Sequence, residues 1–398
     1  MKKRRWRKEF CQRLLPKDSL PDARTGRRWA DGESGGQEER MSKIYQIYGQ
    51  DAREMTLRLL EAAEAFRLVP PGGSVALKPN LVIAGTPESG ATTHPGVLSG
   101  CIEYFREHGA GEISVIEGSW VGDETMRAMR RAGYDQVCRQ YDVPFYDLKK
   151  DQTRTVQTKA GPIDICCRAL DAGLLVDLPV LKGHGQTLMT CALKNLKGCL
   201  PDREKRHFHA MGLQKPIAAL GAVLKPRLIV VDSICGDLDF EEGGTPVQTN
   251  RMYLGTDAVQ LDAYGLSLMG LNPEDVPYVG LCEAYGGGSA AWSPEDITEL
   301  NQPDRSAAYP RPRGIVAQLT RHVHENQACS ACFAALTRAL YTSRCGEKEE
   351  IYIGQGWKGK KLEGLGIGRC CQGAETCVMG CPPAADAIAR KLEELQWS

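Results

Sequence analysis

The sequence predicts an α/β fold: a mainly parallel sheet flanked by helices, followed by a small C-terminal cysteine-rich module of helix and loop. Three observations carry this reading. From Met41 to about residue 285, apolar strand-like runs alternate with segments of helical spacing, the order that builds parallel sheets. Those runs end repeatedly in polar groups, at Lys78 and Asn80, Glu117, Asp177, Lys182 and His184, and Asp232; ligands of open α/β sheets bind beyond the carboxyl ends of strands. The texture then changes through Gly286-Gly287-Gly288, Pro294, Pro303, Pro310 and Pro312, a loop or linker over 286–320, into a tail over 321–398 that is rich in cysteine.

The elements follow in order. MSKIYQIYG, from Met41, reads as a first strand. Met55, Leu59, Ala62, Ala63 and Phe66 fall at helical spacing over 51–68, and Pro70-Pro71-Gly72-Gly73 stops that helix. Val75 to Leu77 is a strand running into Lys78-Pro79-Asn80. Pro95 to Glu107 reads as a helix with Thr93 as its cap. Ile113 to Ile116 is a strand, and Glu124 to Ala132 a helix stopped by Gly133. Leu174 to Val176 is a strand into Asp177, and Val180-Leu181 leads into Lys182-Gly183-His184. Thr187 to Leu196 has helical spacing. Leu228 to Val231 is a strand ending at Asp232, and Asp257 to Met269 a helix that Asp257 caps.

Composition narrows the classes of function. The chain has 398 residues, with 50 basic and 50 acidic side chains. A net charge of zero argues against the broad basic field of a nucleic-acid binder. No stretch approaches the apolar length of a membrane helix. The zero hides an asymmetry: residues 1–40 carry twelve Lys/Arg and seven Asp/Glu, a net of +5, so the remainder is −5. The run Lys2 to Lys8 is basic like a signal n-region, but Gln12, Arg13 and Lys17 stand where the apolar stretch would be. Residues 1–40 are therefore expected to be a disordered extension, with the folded protein beginning at Met41. Without a signal, a reducing cytoplasm is the expected location for the cysteines.

Seven of the sixteen cysteines fall in the last 70 residues. Cys329-Ser-Ala-Cys332 supplies two thiolates; Cys370-Cys371, Cys377 and Cys381-Pro382-Pro383 follow, with Cys345 in the gap. Four thiolates suit a [4Fe–4S] cluster or a structural zinc. Proline after the last cysteine recurs in cluster sequences, and Gly364, Gly366, Gly368 and Gly380 let backbone approach a cluster. Zinc sites favour two compact pairs, whereas the second half here is spread out. One [4Fe–4S] cluster on Cys329, Cys332, Cys370 and Cys381 is the expectation; zinc is the alternative metal, and Cys371 and Cys377 are alternative ligands.

The densest chemistry of the main domain lies between Lys182 and His209. His184, Lys194, Asn195, Lys197, Arg203, Lys205, Arg206, His207 and His209 gather there, suiting a phosphate or carboxylate ligand. The competing reading is a solvated basic face. Thr92-Thr93-His94-Pro95 before a helix could bind an anion or simply cap. Glu241-Glu242-Gly243-Gly244 reads as a turn in which one carboxylate could act as acid or base.

VALKPNLV (Val75–Val82), TTHPGV (Thr92–Val97), VIEGS (Val115–Ser119), LKGHGQTLMTCALKNLKG (Leu181–Gly198), LIVVDSI (Leu228–Ile234) and GTDAVQLDA (Gly255–Ala263) together resemble the domain-of-unknown-function 362 family. The resemblance covers about residues 43 to 285. Many members carry an iron–sulfur module, often a two-cluster insert; this chain has one loose four-cysteine set. There is also a distant likeness to lactate racemases that use a nickel-pincer nucleotide, in the order of His184, Lys194 and a later histidine. The leading expectation is a cytoplasmic iron–sulfur oxidoreductase or electron-transfer protein acting on a small anionic substrate. Lys78, Asn80, Thr92, Thr93, Lys182, Asn195 and Lys197 would bind that substrate, and His184, Lys194 and His207 would be catalytic, with His184 or His207 giving protons. A cluster-independent isomerase or racemase and a non-enzymatic redox sensor are the alternatives. A redox partner protein is expected, but neither nucleic acid nor membrane. No G-x-G-x-x-G follows a strand, so a nicotinamide or flavin site of that type is not supported.

Overall fold

The computed structural model describes residues 43–303, 309–343 and 350–396. The expected extension over 1–40, part of the expected linker, and Cys11 and Cys345 lie outside the described residues.

Eight strands form the main sheet: β1 (Ile44–Tyr48), β2 (Val75–Pro79), β3 (Ile113–Glu117), β4 (Phe145–Asp147), β7 (Leu174–Leu178), β10 (Leu228–Asp237), β11 (Pro246–Gly255) and β12 (Ile297–Glu299). Two small hairpins complete the numbering, β5 (Thr153–Thr158) with β6 (Gly161–Cys166), and β8 (Lys182–His184) with β9 (Leu188–Thr190). The sheet order is β12-β1-β11-β10-β7-β2-β3-β4. Only β11 runs antiparallel to its neighbours β10 and β1; the other five pairings are parallel. The fold is therefore the mainly parallel α/β sheet read from the sequence. Its strands are apolar in runs because both faces are covered: Val75 and Leu77 pack into one core, while Ala76 between them packs into the other.

The chain leaves β2 for β3 and β4, then returns to lay β7 on the other side of β2. That reversal puts a crevice at the carboxyl ends of β2 and β7, where such sheets take ligands. β12 lies inside the segment expected to be linker. It pairs with β1 at the edge of the main sheet, while Ile315, Val316 and Leu319 pack into the core of the tail.

Local differences from the sequence reading have local causes. The helix expected to reach residue 68 stops at Ala62, and Glu64 turns left-handed with φ 48°. His94, not Thr93, caps the helix Pro95–Glu107, its Nδ1 accepting from the Gly96 N–H at 3.0 Å. The expected helix Thr187–Leu196 is instead β9 followed by a single turn, Ala192–Asn195. Leu188 takes φ 60° to close the hairpin, and buried Asp262 accepts the first N–H groups of that turn, from Ala192 and Leu193.

The tail was expected as helix and loop. It contains a four-stranded sheet, all parallel: β13 (Val323–Glu325), β14 (Ile351–Ile353), β15 (Leu362–Ile367) and β16 (Ala374–Val378). Two of these strands are only three residues long, too short for alternation to be read from sequence. Helices Ser330–Ser343 and Ala385–Gln396 complete the unit, and Phe240 from the main domain enters its core beside Phe333 and Leu336. Among the described residues no helix is long and apolar enough to cross a membrane.

Candidate functional site

Lys78, at the end of β2, is fully buried. Its Nζ donates to Glu117 Oε2 at 2.8 Å, to the Pro79 carbonyl at 2.8 Å and to Asn195 Oδ1 at 3.2 Å. Asn195 Nδ2 in turn donates to Asp177 Oδ1 at 2.8 Å. The ends of β2, β3 and β7 are thus tied to the KNLKG turn by one buried polar network. Burial alone would lower the Lys78 pKa, but the charges of Glu117, Cys199 and Asp177 and the hydrogen bond to Glu117 together more than offset it, and the value rises. Gly198 seals this layer: a Cβ there would lie 2.1 Å from Glu117 Oε1 and 2.7 Å from Lys78 Nζ.

Above this layer opens a cleft of about 570 Å³, including its mouth. Asn80, Trp120, Val121, Thr190, Lys194, Asn195, Lys197, Lys205, His209, Glu241, Cys329 and Ser330 line it. The sign of its charge is set by how the cations are used. Lys194 Nζ meets Glu241 Oε1 at 3.0 Å. Lys205 Nζ donates to the carbonyls of Gly118 and Ser119 at 3.0 and 2.7 Å. Lys197 makes no ion pair among the described residues; its Nζ lies 3.4 Å from His209 Nε2. Burial, and then the neighbouring Lys194 charge, bring Lys197 down to about 7. The buried atoms Asn80 Oδ1, Thr190 Oγ1 and His209 Nδ1 have no hydrogen-bond partner among the described residues. Buried polar atoms rarely stay unpaired, so these mark places for a polar ligand or for water.

The predicted residues divide accordingly. Asn80, Lys194, Asn195 and Lys197 line the cleft. Lys78 does not; its charge is spent on Glu117. Thr93 does not either: its Oγ1 donates to the Leu178 carbonyl at 2.7 Å and accepts from the Asn80 N–H at 2.9 Å. Thr92 is buried nearby with its hydroxyl unpartnered, outside the cleft lining. Lys182 Nζ holds the carbonyls of Ala91 and Glu241 at 2.6 and 2.9 Å. These are structural uses of residues expected to bind substrate.

His184 is also a positioning residue. Its Nδ1 accepts from the N–H groups of Gln186 and Thr187 at 3.0 and 3.2 Å, and its Nε2 meets Glu241 Oε2 at 2.8 Å. With Nδ1 an acceptor, the ring is neutral and Nε2–H points at the carboxylate. His207 is exposed on the helix Asp202–Ala210, paired with Glu204 at 3.0 Å, and faces away from the cleft; His209 takes the place expected for it. Helical phase separates the two histidines, and the polar surroundings on both sides hid it. Glu241, a carboxylate of the cleft lining, was legible as one of two glutamates in a turn, either of which could act as acid or base.

His184 gives a pH prediction. Burial pushes it down from the ordinary 6.5 to about 4. The unfolded chain then binds a proton that the folded chain refuses, so this group's stabilising contribution is present at neutral pH and is lost as pH falls from about 6.5 through 4. Urea unfolding of the wild type and His184→Gln should show a stability gap that narrows by about 3 kcal/mol over that window. A gap independent of pH would remove this role.

Cys329 and Cys332 stand at the start of the helix Ser330–Ser343, the end at which a helix dipole favours negative charge. Gln186 and Ser330 fasten this end to the cleft. Gln186 Nε2 donates to the Ala328 carbonyl at 2.9 Å, and Ser330 Oγ lies 3.4 Å from His184 Nε2 and 3.3 Å from His209 Nε2. Cys370 and Cys381 come from the loops after β15 and β16. All four face one cavity of about 610 Å³, including its mouth, whose wall includes the backbone of Gly354, Gly368 and Gly380. Gly354 has φ +124°, and a Cβ there would strike the Asn326 carbonyl at 1.9 Å. Cys371 and Cys377 lie outside this lining; Cys371 is buried against the Gly354 carbonyl and Cys377 Sγ lies 3.6 Å from the Gly368 carbonyl.

Burial, then the charges of Cys329, Cys381 and Cys370, push the Cys332 thiol up. Four mutually opposed thiolates need a bound cationic centre to be stable. Among the described residues no three or more of His, Cys, Asp and Glu come close enough together to hold one metal ion. The four cysteines are set around the walls of that cavity. Cys329 lines both this cavity and the cleft. The tail also packs closely on the main domain at Gly122, where a Cβ would meet Pro382 Cδ at 2.2 Å.

Residues 75–267 match the family model described as "Domain of unknown function (DUF362)". A thylakoid-associated protein from Synechocystis is 25% identical over 229 residues, covering 55% of this chain and 70% of that protein. The lactate racemase apoprotein from Thermoanaerobacterium thermosaccharolyticum is similar with a TM-score of 0.42 at 13% identity. The match takes in 57% of this chain, which spans 57% of the length of that racemase.

Proposed function

From a chain whose residues 75–267 are a domain of that family, we propose an iron–sulfur oxidoreductase that reduces or oxidises a small carboxylate- or phosphate-bearing substrate in one-electron steps. The observation that carries this reading is the shared wall: Cys329 faces the cysteine cavity on one side and the cleft on the other. Cys329, Cys332, Cys370 and Cys381 would hold one [4Fe–4S] cluster, which supplies or accepts single electrons when bound.

The chain's own residues do the rest. Lys197, the cleft cation without a carboxylate partner, binds the substrate anion. Thr190 and Asn80 offer hydrogen bonds to its polar groups, while Trp120 and Val121 close the apolar wall. His184 and Lys194 fix the Glu241 carboxylate from two sides. Lys197, held near neutrality by burial, can release or take up a proton at Nζ where a carbonyl or olefin changes charge, because such a group works best with a pKa near the working pH.

Anaerobic purification followed by iron and sulfide assay tests the reading. About four of each per chain are expected, with a reversible one-electron signal in electron paramagnetic resonance. A colourless, zinc-loaded chain would overturn it.

A further inference from the structure

The lining of the cysteine cavity reaches the surface. Cys381 is exposed there, and Met379, two residues earlier, is 55% exposed. The side chains that line the cavity include three cations, Arg206, Lys358 and Arg369, and no carboxylate. Arg206 faces inward: its charge acts on the Cys329 and Cys370 thiols. Lys358 and Arg369 are exposed, and neither forms an ion pair among the described residues. Unpaired cations around an exposed sulfur edge, in a body whose residues 41–398 carry a net of −5, are a local reversal of charge. Arg206 is placed to offset a buried anionic group. Lys358 and Arg369 extend that field into solvent, where it steers a partner of opposite sign.

We propose that this rim is the docking face for an acidic one-electron carrier protein. The carrier approaches Lys358 and Arg369, covers Met379 and Cys381, and passes one electron. It is oxidised by one electron as the cysteine-held cluster is reduced by one, with no bond made or broken. Electrons then enter at Cys381 and leave towards the substrate at Cys329, on the cleft side. The inference rests on the cluster reading of the preceding section.

The test uses the full chain and an acidic [2Fe–2S] ferredoxin as probe, with basic cytochrome c as the opposite-charge control. Ferredoxin affinity measured by interferometry should weaken about tenfold or more from low to high salt, as for contacts made through exposed charges. Lys358→Glu with Arg369→Glu should weaken it about tenfold further at low salt, slow ferredoxin-driven reduction to match, and give cytochrome c a binding it lacks on the wild type. Salt-independent ferredoxin binding, or no binding by the wild type at low salt, would overturn the proposal without any variant. Iron and sulfide assay of the same samples separates the two readings. A chain free of iron would fail the cluster assignment, while its ferredoxin affinity would still decide whether the rim docks an acidic partner.

Discussion

Replacing Lys78 by methionine is expected to destabilise the fold by about 3–5 kcal/mol, the cost of removing one partner from a buried pair. Glu117 would be left without its cation at the carboxyl end of β3, 2% exposed, with Asp177 close by at 0%. The Lys78 ammonium has no substitute: Lys205 is committed to two backbone carbonyls and Lys194 to Glu241. Chemical denaturation would read the loss directly. Adding Glu117→Gln should recover at least half of it, since the uncompensated charge carries most of the penalty. A single variant within about 1 kcal/mol of the wild type would mean that the pair is not what joins the strand ends.

Cys329→Ser is expected to have the largest effect on metal content, with iron and sulfide falling to about a tenth of the wild-type level or less. A three-thiolate set loses one of the four ligands that a cubane requires. Cys377→Ser should keep its iron, because Cys377 lies outside the cavity lining; Cys371→Ser should behave likewise. The contrast separates geometry from cysteine count, since all of these thiols fall within the same 70 residues. Equal iron loss in the Cys329 and Cys377 variants would reject the ligand assignment. Cys329→Ser should also abolish any substrate reduction, while unfolding by denaturant should show the main domain still folded.

The sheet was legible because its strands are apolar on both faces and because each ends in a polar group. Lys78, Glu117 and Asp177 do converge, through Asn195, as the repeated strand endings implied; Asp232 instead accepts the N–H groups of His94 and Ile234. Which of them meet solvent was not legible. A lysine spent on a buried glutamate and a lysine left free in a cleft look the same in sequence; only the packing of Gly198 against Lys78 and Glu117 divides them. The exchange of His207 for His209 has the same origin, because both lie on one short helix with polar neighbours and only its docking selects the inward one. The second strand of the hairpin Lys182–Thr190 was read as the start of a helix from Thr187, because its alternation is short and its turn depends on a left-handed leucine, which no composition rule anticipates. The cysteine spacing was legible as far as the lining goes, since Cys329, Cys332, Cys370 and Cys381, from two loops and one helix start, line one cavity.

The two edges of the main sheet set a limit on how this protein can assemble. The outer strands, β12 and β4, are only three residues long each, and the Glu299 carboxylate on β12 is taken by Tyr48 and Gln46 of the strand beside it. So short an edge gives an incoming peptide little backbone to pair with, a device that guards against strand addition and fibrillar stacking. Through this sheet the molecule has no polymerising direction, and its associations fall to side-chain surfaces, where charge and shape can discriminate.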